Sequence, residues 1–121
     1  FTGDLESSAE AVLLEGSSGL DCDILKVAHH GGKNASSLRL IGSVMPETAV
    51  ISVGKNSFGH PSQEVLERLE ENNVAVYTTA ESGAVMVDSD GEHYRIRLWF
   101  RDEGFTFLNE NDRIFDKAPI F

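Results

Sequence analysis

Short continuous apolar runs alternate along this chain with stretches whose apolar residues return every three or four positions. Residues 23–28 carry Ile24, Leu25 and Val27 and predict a buried strand. Residues 48–53, Thr-Ala-Val-Ile-Ser-Val, are apolar almost throughout, as expected of a strand covered on both faces. Residues 74–78 and 84–87 predict two more strands. Ser7 or Ser8 can cap a helix over 9–15, with Ala9, Val12 and Leu13 at helical spacing. Ser36 or Ser37 can cap a second helix carrying Leu38, Leu40, Ile41 and Val44, and Pro46 stops its continuation. Ser62 can cap a third, with Val65, Leu66 and Leu69 in one stripe and Asn72-Asn73 at its end. Phe1-Thr2 reads as the close of a strand ended by a Gly3-Asp4 turn.

Later in the chain, Glu81-Ser82-Gly83 predicts a turn and Asp90-Gly91 a hairpin. Over 94–100, Tyr94, Ile96 and Leu98 alternate with Arg95, Arg97 and Trp99, as in a half-exposed antiparallel strand. The order is β-α-β-α-β-α-β followed by a short antiparallel meander, an α/β fold with mostly parallel strands. Residues 101–121 hold Phe105, Phe107, Ile114, Phe115 and Phe121 without a regular period. They are expected to form a tail packed on the domain or on a partner. The 121 residues suffice for one domain with a modest core.

Charge and cysteine content narrow the function. A net charge of −10 argues against a general nucleic-acid-binding surface, yet allows a local site made positive by metal ions. Cys22 is the only cysteine, which excludes an internal disulfide and a thiolate zinc cluster. No apolar run approaches the roughly 20 residues that cross a bilayer. The chain opens Phe-Thr-Gly-Asp without a methionine and is expected to begin in mid-protein.

The candidate chemistry gathers where strands end, the edge at which open α/β sheets bind ligands. Asp4 follows the first strand, His29-His30 the second, and His60 lies in the loop 54–61 after the third. Adjacent residues of an extended segment point to opposite sides, so one site receives one of His29 and His30 unless the chain turns there, as Gly31-Gly32 allows. Asp with neutral imidazole is an ordinary ligand set for Zn²⁺ or Mn²⁺. Lys33 can bring an ammonium toward an anion at the following helix start. Ser36 and Ser37 read as caps, because no His–Asp relay accompanies them. His60 can donate to a phosphate or protonate a leaving oxygen. His93, in the hairpin region, is given no role.

These residues, in this order, resemble the metallo-β-lactamase fold superfamily, and within it the domain attached to bacterial DNA-internalisation competence proteins. The resemblance is carried by Thr2-Gly3-Asp4-Leu5-Glu6, by Leu25-Lys26-Val27-Ala28-His29-His30-Gly31-Gly32-Lys33 with Ser36-Ser37, by Ala49-Val50-Ile51-Ser52-Val53-Gly54-Lys55-Asn56, by Gly59-His60-Pro61, and by Glu64-Val65-Leu66-Glu67-Arg68-Leu69. It spans residues 1–87. It implies half of a four-layer αββα sandwich with two divalent metal ions, Zn or Mn, at one edge. Asp4 would bridge both ions, His29 would complete the second, and His30 would stand behind it. His60 and Lys33 would approach the scissile phosphate or ester. The His-x-His-x-Asp-His signature that supplies most ligands in that superfamily does not occur here, nor does the isolated histidine that usually precedes Gly-Asp. The chain therefore looks like the C-terminal half of such a domain, and its first expected partner is the N-terminal half.

The expected function is that of a metal-dependent hydrolase, phosphodiesterase- or nuclease-like, acting on DNA or a small phosphodiester. The rivals are hydrolysis of a small ester, lactone or thioester on the same scaffold, and a non-catalytic binding module. Any membrane association is expected through a larger bacterial parent protein.

Overall fold

The computed structural model describes residues 1–100 and 104–107. The elements run α1 (Ser7–Gly16), β1 (Ile24–Lys26), α2 (Leu38–Val44), β2 (Thr48–Ile51), α3 (Gln63–Glu71), β3 (Ala75–Thr78), α4 (Thr79–Ser82), β4 (Ala84–Ser89), β5 (Tyr94–Phe100) and β6 (Gly104–Phe107). Strands β1, β2 and β3 form a parallel sheet in that order, with Leu25 beside Ala49 and Ala49 beside Val76. Strands β4, β5 and β6 form an antiparallel sheet, with Val87 beside Ile96 and Trp99 beside Phe105.

Strand alternation divides the parallel sheet into two buried faces. Leu25, Ala49 and Ile51 join Leu40, Ile41 and Val44 of α2 and Val65 and Leu69 of α3 in the main core, with Leu13 and Leu14 of α1 packed against it. Ile24 and Tyr77 pack on the other face against Tyr94, Ile96 and Leu98 of β5. The Thr48 and Tyr94 hydroxyls meet at 3.1 Å between the sheets. The layers are therefore helices, parallel sheet and antiparallel sheet. Double coverage explains why 48–53 is so apolar: Thr48 is 1% exposed, and Ala49 and Ile51 are fully buried.

Several expectations hold at the level of single bonds. Ser37 accepts from Leu40 N at the start of α2, and Ser62 accepts from Val65 N at the start of α3. Helix α2 ends on Met45 in the left-handed conformation, just before Pro46. Tyr94, Ile96 and Leu98 are buried while Trp99 is exposed, as the alternation predicted.

Others are corrected. Phe1-Thr2 is not a strand: the segment is fastened beside β1 by a side-chain bond, from Thr2 Oγ1 to the Lys26 carbonyl at 2.6 Å, rather than by a backbone ladder. The parallel sheet thus has three described strands, not four. In α1 Glu10 is buried and Leu13 and Leu14 are half-buried against the core, whereas Val12 is 71% exposed and Ala9 is also exposed. Residues 81–82 complete a one-turn helix, α4, which Thr78 caps by accepting from Glu81 N and which Gly83 ends at φ 65°. Residues 104–107 form β6, which the irregular apolar spacing did not predict. The remainder of the expected tail, 101–103 and 108–121, lies outside the described residues.

Asp23, at the entrance to β1, yields a stability test. Its Oδ2 is buried without a hydrogen-bond partner among the described residues. Burial pushes its carboxyl above the ordinary 3.8; its own backbone N–H opposes this, and Asp21 adds to it. A carboxyl raised by folding holds its proton more tightly in the folded chain. Its stabilisation is present below the ordinary value and is lost as pH rises through the folded value. Asp23→Asn should therefore match the parent in thermal unfolding at about pH 3 and melt above it at about pH 7. Parallel melting curves at both pH values check this.

Candidate functional site

The loop leaving β1 does not continue extended. His29 has φ 47°, His30 φ 53° and Gly31 φ 80°, three successive residues in the left-handed region. Gly31 accepts this readily, but L-residues with a Cβ lose about 1–2 kcal/mol each there. The turn closes through Gly31 N to Ala28 O and Gly32 N to His29 O, both 2.9 Å. From outside, Gly3 O accepts from His29 N at 2.9 Å and Gly31 O accepts from Ser62 N at 2.8 Å. The bend lies on the two histidines themselves, so the opposite-facing rule for extended neighbours does not apply to them.

Each histidine is tied by the same ring nitrogen. His30 Nδ1 lies 2.6 Å from the Ser52 carbonyl, a group that only accepts, so Nδ1 donates. His29 Nδ1 lies 2.7 Å from Glu6 Oε1, with both side chains part-exposed. An ionised carboxylate likewise only accepts, so this Nδ1 donates too. In the neutral rings the Nε2 lone pairs are then left open, and among the described residues neither Nε2 makes a hydrogen bond. A histidine prepared to ligate a metal has this arrangement: one ring N–H held by a carboxylate or carbonyl, the other nitrogen bare.

His60 reaches the same edge from the loop after β2. Asn56 shapes that loop: its Oδ1 accepts from Phe58 N and His60 N, and its Nδ2 donates to Gly54 O and His60 O. The His60 ring stands edge-on to that of His29, centroids 5.5 Å apart and planes at 77°. Close approach requires the glycines. A Cβ on Gly32 would lie 3.3 Å from His60 Nε2, and one on Gly31 would lie 2.8 Å from Pro61 Cβ.

Asp4 is exposed in the turn whose Gly3 carbonyl holds His29. Burial pushes the nearby Lys26 ammonium down, and the Asp4 charge opposes that shift. Asp4, His29, His30 and His60 thus come to one end of the parallel sheet. Among the described residues, no group of three or more His, Cys, Asp or Glu side chains is closed around an ion position. Lys33 is exposed on the loop, but the start of α2 is already taken, because Glu10 Oε2 accepts from Ser37 N at 3.0 Å. The anion expected at that helix start is this chain's own carboxylate. Cys22 is buried, and burial raises its thiol.

Three supports were not identified from the sequence. Glu10, 1% exposed, occupies an apolar-stripe position, and its spacing to Leu13 and Leu14 was the available signal. Arg68 reaches from α3 to the carbonyls of Lys33, Ala35 and Ser36 and holds the loop between the histidines and α2. Glu6 belongs to the Gly-Asp segment, but no local pattern pairs it with a residue 23 positions away.

Gly31→Ala should destabilise the chain by at least about 1–2 kcal/mol, the left-handed penalty alone, with the Pro61 clash in addition. A smaller loss in urea unfolding would mean the turn relaxes away from this geometry.

No protein-family model matches the chain. It is 38% identical over 86 residues to ComE operon protein 3 of Bacillus subtilis, a match covering 70% of this chain and 11% of that protein. It is 39% identical over 89 residues to Recombination protein 2 of Haemophilus influenzae, covering 73% and 11%. With Competence protein ComA of Neisseria gonorrhoeae the identity is 35% over 86 residues, covering 69% and 12%. The chain is therefore a homologue, over most of its length, of a segment amounting to about a tenth of each of these bacterial proteins.

Proposed function

We propose that this chain forms part of the hydrolytic centre of a metal-dependent phosphodiesterase or nuclease that serves bacterial competence. The competence role is suggested by the relatives, one of which is named a competence protein. The observation that carries the chemistry is the paired preparation of His29 and His30, each with Nδ1 tied and Nε2 bare, beside His60 and the Asp4 turn. This donor set fits a divalent cation such as Zn²⁺ or Mn²⁺. It is incomplete for a two-ion site, which accords with a chain that spans about a tenth of its relatives.

In this proposal the Asp4 carboxylate and His29 Nε2 would help to hold the ions, and His30 would stand behind His29. The remaining ligands come from the N-terminal half of the same domain. The chemistry that bound ions contribute is Lewis acidity toward a phosphoryl oxygen. His60, held in place by the Asn56 loop, faces the substrate and delivers a proton to the departing oxygen. Lys33, exposed on the rim, neutralises substrate phosphate. The chain's charge of −10 repels a polyanion elsewhere on the surface, so productive contact is confined to this edge.

The test uses the intact metal-loaded protein against single-stranded DNA and a chromogenic phosphodiester, with metal content measured on each variant. Asp4→Ala should abolish turnover. His60→Ala should keep its metal and slow turnover by about 10²–10⁴-fold. Loss of metal in His60→Ala would make His60 a ligand instead. Cleavage of an ester or lactone but of no phosphodiester would replace the nuclease-like reading with the small-ester hydrolase.

A further inference from the structure

We propose that Glu6 is a positioning residue for the metal centre: it selects the His29 tautomer whose Nε2 is bare toward a divalent cation. The inference rests on the metal-centre reading above and adds a residue and a role to it.

Stability alone gives this contact little reason to exist. The Glu6 and His29 side chains are 45% and 41% exposed, and exposed ion pairs contribute little to stability. The backbone beneath them is costlier, with two successive non-glycine residues at positive φ. Strain of that kind gathers where a fold must aim particular groups. Here the aim is set at two points, because the segment that grips the His29 backbone through Gly3 O also grips its ring through Glu6 Oε1. His30 provides an internal comparison: its Nδ1 is held by a backbone carbonyl, which no side-chain substitution removes. Glu6 itself sits before α1, where its carbonyl accepts from Ala9 N and Glu10 N while its side chain makes no capping bond. Its side chain is thus available to His29 without weakening the helix. In the stretch Gly3-Asp4-Leu5-Glu6, the first carboxylate addresses the cation and the second addresses the histidine.

The experiment compares the parent with Glu6→Gln, which keeps an accepting oxygen, and Glu6→Leu, which does not. Ring-nitrogen magnetic resonance of the full metal-free chain at alkaline pH reads the tautomer of each histidine. Mn²⁺ titration of the intact protein reads affinity. We expect His29 as Nδ1–H in the parent and in Glu6→Gln, and a shift toward Nε2–H in Glu6→Leu, with His30 unchanged in all three. Mn²⁺ affinity should fall by about 10–100-fold in Glu6→Leu and stay near the parent value in Glu6→Gln. An Nε2–H His29 in the parent, or a tautomer indifferent to Glu6→Leu, overturns the inference. So does a tautomer shift that leaves Mn²⁺ affinity unchanged. A parent that keeps His29 as Nδ1–H through Glu6 but takes up no Mn²⁺ supports the tautomer selection and instead overturns the metal-centre reading on which it was built.

Discussion

The site depends on one clasp, in which residues 2–10 fasten onto residues 26–37. Thr2 holds the Lys26 carbonyl, Gly3 holds the His29 N–H, and Glu6 meets the His29 ring. Asn34 O accepts from both the N–H and the hydroxyl of Ser7, and Glu10 caps α2 at Ser37. Each such bond contributes about 0.5–1.5 kcal/mol net, more where a carboxylate takes part. Together they are of the size needed to hold two non-glycine residues at positive φ, at about 1–2 kcal/mol each. Without the clasp, the loop after β1 would be free to relax toward extended backbone and part the two histidines. Arg68 braces the far end of the loop from α3, so the strained turn is fixed on both sides.

Much of the framework was legible because it obeys local rules. Ser37 and Ser62 cap the helices they were expected to cap, and the stripe of α3 and the alternation of β5 match their burial. The exceptions arise where tertiary contacts override spacing. Val12 fits a helical stripe yet is exposed, because α1 turns Glu10, Leu13 and Leu14 inward to bring a carboxylate to α2. Strand β6 carries no clear period of its own and is identified by its pairing with β5.

The site was legible in its members rather than in its geometry. That His29 and His60 lie at one sheet edge follows from their places after apolar strands, whereas Asp4 is brought there by the bonds of Thr2 and Gly3 to the β1 segment and not by a strand of its own. That both His29 and His30 turn through the left-handed region does not follow from such places, because β-to-loop periodicity assumes extended backbone. The carboxylate at the start of α2 shows the same limit. A lysine near a helix start suggests an anion site, but the anion came from Glu10, 27 residues upstream of Ser37. Long-range side-chain pairs such as these decide the electrostatics, and they leave no periodic trace in a single sequence.

In the proposed centre this sheet edge presents Nε2 of His29, with the Asp4 carboxylate, to a divalent cation. Crystallography of the intact protein loaded with Mn²⁺, with anomalous scattering locating the ions, tests it most directly. An anomalous peak is expected at bonding distance from His29 Nε2 and from Asp4, with His29 Nδ1 still on Glu6 and His30 Nδ1 still on the Ser52 carbonyl. An ion bound elsewhere, or a His29 ring turned to bind through Nδ1, would contradict it.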